Sequence, residues 1–249
     1  MRTGYLEVDT LLSSLQRELE PLLGTNFVGM YLYGSLVTGD FSLVTSDIDT
    51  IIVTKMPIDS PVFASLQALH RTLCRDHAFA LKLEGSYVPL PHPSASLTPE
   101  VPCPSFNEGE FYWGTRGAEW TFIRHILREQ RSVITGEAPI MFLPPPLTQE
   151  LQQATRALFR EWWEPMLTDA ERLQSAEYRL YATFTLCRML YTLHEERLTS
   201  KRQAIHWALG ILPPDFRPLL SSALAWRSPN PFASVAEVQS LLHFVSKHV

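Results

Sequence analysis

The chain has 249 residues, 45% hydrophobic and 19% charged, enough apolar material for a packed core and too much for a disordered or low-complexity protein. A formal net charge of −5 argues against an electrostatic footprint on DNA or RNA. Cys74, Cys103 and Cys187 lie far apart, with no zinc spacing and no even disulfide framework, and read as reduced thiols.

The N-terminal stretch carries Val8, Leu11, Leu12, Leu15, Leu19 and Leu22 at helical spacing, with Gly24 as a stop. Acidic residues at 7, 9, 18 and 20 break any leader-like pattern, and no apolar run approaches the ~18 residues of a membrane span. The expectation is a cytoplasmic, monomeric protein with neither a membrane nor a nucleic-acid partner.

Residues 27–33 form an almost unbroken apolar run closed by Gly34-Ser35, the pattern of a strand buried on both faces. A second strand is expected over 47–54, rich in β-branched residues, and a helix over 61–76 with Pro61 in its first turn. A third strand falls within 78–90. Residues 92–116, rich in Pro, Ser, Gly and aromatics, read as a long structured loop. A helix follows at 118–132, and Pro144-Pro145-Pro146 is the best linker. Beyond it the periodicity is helical throughout, near 148–164, 170–197, 199–210, 214–226 and 233–247. The boundaries expected are therefore 1–146 for a mixed domain and 147–249 for a helical one.

The informative segment runs from Gly34 to Asp49. On a strand, Asp47 and Asp49 share a face with Cα atoms roughly 6–7 Å apart. Two carboxylates so close repel unless a cation lies between them, and hard oxygen ligands suit Mg²⁺, which takes its remaining ligands from water and substrate phosphates. At the other end, a buried strand ending in Gly34-Ser35, with Gly39 soon after, can turn sharply and offer backbone N–H groups and the Ser35 hydroxyl to a phosphate. Either motif alone reads as an ordinary turn or cap. Joined strand to turn to strand, they are equipment for phosphoryl or nucleotidyl transfer.

The pattern Gly-Ser, then Gly, then Ser-Asp-x-Asp resembles the polymerase-β-like nucleotidyltransferase superfamily, and most of all its streptomycin/spectinomycin adenylyltransferase branch. The resemblance implies an α+β fold: a nucleotidyltransferase domain with a mixed sheet flanked by helices, followed by an all-α helical bundle. It implies that Asp47 and Asp49 hold Mg²⁺, with Glu84 the third acid, while Gly34, Ser35 and Ser46 meet the ATP phosphates. Glu84, amid the alternation Leu81-Lys82-Leu83-Glu84-Gly85, is the expected general base. Its rival reading is a surface glutamate opposite Lys82.

The similarity continues past the linker. Tyr181 to Tyr191 is similar to the family helix that ends in a phosphate-binding arginine, here Arg188, and Ser200-Lys201 is similar to the segment whose lysine reaches ATP. A guanidinium on a stripe with Tyr181, Thr185 and Tyr191 needs an anion, either a triphosphate or an internal acid such as Glu177 or Glu195. The positions matching the family's drug-binding Asp and His are Tyr178 and Tyr181, so the acceptor half departs from the pattern. For it the sequence offers Trp113 and Glu110 among clustered aromatics and carboxylates, which suit a cationic, hydroxylated ligand or simply pack the loop. Arg124 and Arg128 read as a solvated face rather than a phosphate site, and Trp162-Trp163 as packing.

The expected activity is ATP- and Mg²⁺-dependent transfer of AMP to a hydroxyl of a small cationic acceptor, with antibiotic modification implied by the resemblance. A protein-AMPylating enzyme and a catalytically silent nucleotide-binding regulator are the rival readings.

Overall fold

A computed structural model describes residues 3–90, 102–115, 117–129, 133–144, 147–227 and 229–249. The chain divides into two compact units, Met1–Pro145 and Pro146–Val249. No helix among the described residues is long and apolar enough to cross a membrane.

The first unit is built on a six-stranded mixed sheet of order β5-β4-β3-β2-β1-β6. Its strands are β1 (Phe27–Leu32), β2 (Ile48–Thr54), β3 (Leu83–Pro89), β4 (Cys103–Asn107), β5 (Glu110–Gly114) and β6 (Val133–Gly136). Only β2 and β3 pair in parallel, and α3 (Ser60–Asp76) links them; the other pairs are antiparallel. A parallel pair needs such a crossover, whereas antiparallel strands can be joined by a tight turn. Asp59 begins α3 by accepting from the Val62 amide at 2.9 Å, with Pro61 in the first turn where its missing N–H costs nothing.

Strand alternation then divides the apolar residues between two cores. Met30, Leu32, Ile48, Ile52, Leu83, Tyr87, Phe106 and Phe111 face α1 (Leu6–Leu23), whose Val8, Leu11, Leu15 and Leu19 form a buried stripe, and α3. Tyr31, Ile51, Val53 and Val88 face the other way, beneath Trp120, Ile123 and Leu127 of α4 (Glu119–Glu129).

Two expectations are corrected in this unit. The supposed loop over 92–116 contains the β4–β5 hairpin; residues 92–101 and 116 lie outside the described residues. The hairpin turns on Glu108 and Gly109, both at positive φ (50° and 83°), a two-residue turn whose handedness matches strand twist. Pro104 within β4 and a glutamate in the left-handed position both disguised it. Four-residue β6, the next described element after α4, was also missed; residues 130–132 of the expected helix lie outside the described residues.

The second unit is helical: α5 (Thr148–Leu158), α6 (Ala176–Glu195), α7 (Lys201–Ile211), α8 (Arg217–Ala225) and α9 (Val235–Ser246). α6 packs against α5, α7, α8 and α9. Ala182, Leu186, Cys187, Leu190, Ala204, Ile205, Leu220, Leu241 and Leu242 are among its core residues. Two expected helices start or stop differently. The one expected over 148–164 leaves α-geometry at Leu158 and widens into a π turn over Phe159–Trp163, which buries Phe159 and Trp163 while leaving Trp162 43% exposed. The one expected to start at 170 starts at Ala176, because Ser175 caps it by accepting from the Tyr178 amide. Arg179 ties the unit together by donating to the carbonyls of Leu173, Gln174 and Phe232.

Candidate active site

The site in the first unit is assembled where β1 turns into a short helix. After Leu32 the chain reaches Gly34 at φ 64°, and α2 (Ser35–Thr38) follows at once. Gly34 O accepts from the Val37 and Thr38 amides at 3.2 and 3.0 Å, and Gly39, at φ 84°, ends the turn. The opening amides of such a turn, at Ser35 and Leu36, have no acceptor within the helix. The turn is fixed to β2 by the Tyr33 amide, which donates to Asp49 O at 3.1 Å.

Gly34 is obligatory for a second reason. A β-carbon there would collide with Oδ2 and Cγ of Asp49, so the carboxylate lies directly against the glycine backbone. The glycine-serine turn and one acid of the expected pair are thus in contact. Asp49 is half-buried on β2, and its register partner across the parallel β2–β3 pair is Glu84, also half-buried. Adjacent strands lie about 4.8 Å apart, so two carboxylates project side by side from the same face.

Asp47 lies just ahead of β2 and is exposed. Among the described residues no group of three or more His, Cys, Asp or Glu is arranged to hold a metal ion. The donor set at the site is therefore a pair, Asp49 and Glu84, with Asp47 two residues along the chain. That set suits Mg²⁺, which keeps several waters and draws on substrate phosphate rather than filling an all-protein cage.

The segment leading to Asp47 is held from several directions. The ring of Tyr5 packs on Phe41 at 4.8 Å. The Ser42 amide donates to Ser46 Oγ at 3.0 Å, and the Ser46 amide returns a bond to Ser42 O at 2.9 Å. Ser46, expected at the phosphates, thus uses one lone pair of its hydroxyl to close its own loop, leaving the hydroxyl proton to donate. Lys82 does not oppose Glu84 as the rival reading had it: its ammonium reaches Val44 O at 2.9 Å and Ser46 O at 3.2 Å.

On the sheet's opposite face, His70 of α3 pairs with the Tyr87 hydroxyl at 2.9 Å, among Phe106 and Phe111. Burial lowers the imidazole pKa to about 3 and raises the phenol well above its ordinary value, so both are neutral struts under β3.

The acceptor candidates of this unit separate. Trp113 lies on β5 and stacks on Phe63 of α3 at 4.6 Å and 11°, on the face away from Asp49 and Glu84. Glu110 lies on the same strand three residues earlier, hence on the other face, and is exposed. Arg124 corrects another expectation: it is 1% exposed, one of the largest fully buried side chains, rather than part of a solvated face. Arg128 caps the following turn through the carbonyls of Ile140 and Leu143.

In the second unit, Tyr178, Tyr181, Thr185 and Arg188 follow one another at i+3 and i+4 along α6, on one face. Lys201 opens α7 behind the Ser200 cap, and its ammonium lies 5.7 Å from the centre of the Tyr181 ring. The tyrosines pack with Trp162 and Trp163, the pair expected to pack: Trp162 Nε1 donates to Tyr178 Oη at 3.0 Å, Arg172 covers Trp162 at 4.2 Å, and Trp163 lies 5.7 Å from Tyr181. The π turn that swings Trp162 outward is what joins it to Tyr178, and helical periodicity alone gives no sign of it.

Comparison with known proteins adds to this geometry. Residues 150–248 match the family model described as aminoglycoside adenylyltransferase, C-terminal domain. No curated protein sequence matches the chain. Among solved structures, the spectinomycin adenyltransferase AAD(9) from Enterococcus faecialis, crystallised with ATP and spectinomycin, is similar at a TM-score of 0.73. The match covers 96% of this chain and 98% of that one at 15% identity, a likeness of fold. The helical half is thus similar to the C-terminal domain of aminoglycoside adenylyltransferases, and over nearly its whole length the chain shares the fold of that spectinomycin adenyltransferase, a mixed six-stranded sheet with helices followed by a helical region.

Proposed function

We propose that this protein transfers AMP from ATP to a hydroxyl group of a small, cationic acceptor. The observation that carries the reading is the contact of the Asp49 carboxylate with the Gly34-Ser35 turn, with Glu84 in register beside it. A phosphate cradle and paired acids within one strand spacing suit an attack on a nucleotide phosphorus.

Glu84 takes the proton of the acceptor hydroxyl as that oxygen attacks the α-phosphorus in line. The bond from the α-phosphorus to the bridging oxygen breaks, and pyrophosphate leaves. Gly34, Ser35 and Ser46 hold the triphosphate from the first unit. Arg188 and Lys201, in the second unit, carry positive charge of the kind that suits a nucleotide phosphate. Asp47 and Asp49, with Glu84 beside them, would hold Mg²⁺, which supplies charge neutralisation along the triphosphate when bound. Tyr178 and Tyr181 are acceptor-side candidates from α6. The structural relative crystallised with ATP and spectinomycin supports a nucleotide and a hydroxylated small molecule as the two substrates.

The test is pyrophosphate release with ATP, Mg²⁺ and a panel of aminoglycosides and aminocyclitols. Glu84→Gln should bind ATP within about threefold of the parent yet lose at least 100-fold in turnover, the range of a lost general base. Turnover retained in that variant rules out Glu84 as the base, and no release with any acceptor contradicts the reading itself.

A further inference from the structure

The sheet extends the catalytic face past Glu84. Ser86, two residues along β3 from Glu84, shares its face, and its hydroxyl meets that of Ser105 on β4 at 2.8 Å. A β-carbon on Gly114 of β5 would meet Ser105 Oγ at 2.7 Å and Tyr112 Cε2 at 3.4 Å, which puts Tyr112 on this face too. Phe111 and Trp113 go the other way, onto Phe63.

The registers then give rows. Ser86 pairs with Ser105, and Ser105 with Tyr112. One step along, β2–β3 pairs Asp49 with Glu84 and β4–β5 pairs Asn107 with Glu110. Continuing the β3–β4 register by one residue from Gly85↔Phe106 sets Asn107 opposite Glu84. Asp49, Glu84, Asn107 and Glu110 therefore stand in one line across four strands, and Tyr112 stands in the next.

The α4 helix covers Ile51, Val53 and Val88 on this face. At its β5 end Tyr112 is 47% exposed and Glu110 is exposed as well. Two strand spacings separate Glu110 from Glu84, about 10 Å. A carboxylate at that remove from the base, beside an open phenol ring, matches a molecule with a reacting hydroxyl at one end and an ammonium at the other.

We propose that Glu110 and Tyr112 form the acceptor's ammonium subsite: Glu110 supplies the counter-charge, Tyr112 the ring wall, and Trp113 takes no part. The proposal rests on the transfer reading above and names its acceptor class, an amine-bearing polyhydroxylated ring system. Asn107, between Glu84 and Glu110, offers an amide to a hydroxyl along the way.

The test compares parent, Glu110→Gln and Tyr112→Ala in steady-state pyrophosphate release with an aminocyclitol acceptor. Loss of a charge-assisted contact should raise the acceptor KM about 10- to 100-fold in Glu110→Gln, with the KM for ATP and kcat within about threefold. Tyr112→Ala should raise the acceptor KM, and the KM of Glu110→Gln should lose most of its salt dependence. An unchanged acceptor KM in a parent that turns over overturns the subsite and leaves the transfer reading standing. If the parent does not turn over, titration of spectinomycin into protein with ATP and Mg²⁺ decides. Binding weakened by Glu110→Gln supports the subsite; equal binding or none overturns it, while ATP binding separately judges the nucleotide half.

Discussion

The Cα of Gly34 lies against the carboxylate of Asp49, close enough that no side chain fits between them. The turn that follows β1 and the acid on β2 are consequently one unit, further tied by the Tyr33 amide on Asp49 O. Gly34→Ala tests the coupling. At φ 64° and ψ −145°, a conformation almost confined to glycine, the added methyl costs about 1–3 kcal/mol of backbone strain, and it must also push the carboxylate aside. We expect a lowered melting temperature and a turnover loss of at least 100-fold, larger than the strain alone explains. A variant that melts early yet turns over normally when folded would show that Asp49 does not need its position against the glycine.

A second prediction concerns His70, the buried imidazole that meets Tyr87 beneath β3. Its folded pKa is lowered to about 3 by burial, whereas an unfolded histidine titrates near 6.5. Between those values the unfolded chain binds a proton that the folded chain refuses, so stability rises with pH across the window. The loss on acidification begins below about pH 6.5 and continues towards pH 3, at up to ~1.4 kcal/mol per pH unit from this one group. Above pH 7 it contributes no pH dependence. Urea melts at pH 7 and pH 5 should therefore show a smaller pH effect in His70→Phe/Tyr87→Phe, where both polar partners are removed together. An equal pH effect in parent and variant would assign the acid sensitivity to other groups.

These two sites also show what a one-dimensional reading captures. The path from Gly34 to Asp49 was legible because its chemistry is local: a glycine at a strand end, a serine beside it and an acid on the next strand. Glu84 was legible by its alternation on β3. What escaped was whatever depends on pairing between distant residues. Trp113 and Tyr112 are neighbours in sequence, and only the hairpin register decides which of them shares a face with Glu84. Trp162 had the same problem, since a π turn shifts its phase by one residue relative to the helix before it. Arg124 looked solvated because Arg128 follows at i+4, but Trp120, Ile123 and Leu127 set the stripe that α4 buries, and Arg124 falls within it.

The helical unit offers a prediction independent of catalysis. Arg179, on α6, sends its guanidinium to three backbone carbonyls from two places in the chain. Leu173 O and Gln174 O belong to the turn before α6, both at 2.8 Å; Phe232 O, at 3.0 Å from Nη2, belongs to the segment before α9. One planar fork thus joins the entry of the central helix to the entry of the last, a geometry that a lysine's point charge cannot reproduce. Because hydrogen bonds with one charged partner contribute about 1.5–3 kcal/mol each in partly buried settings, and the three act as a unit, Arg179→Met should destabilise the protein by about 2–4 kcal/mol. Arg179→Lys should recover less than half of that loss in urea unfolding monitored by tryptophan fluorescence, since Trp162, Trp163, Trp207 and Trp226 all lie in this unit. A lysine variant as stable as the parent would mean that α9 is held by its apolar face, through Val238, Leu241, Leu242 and Val245, with the fork adding nothing.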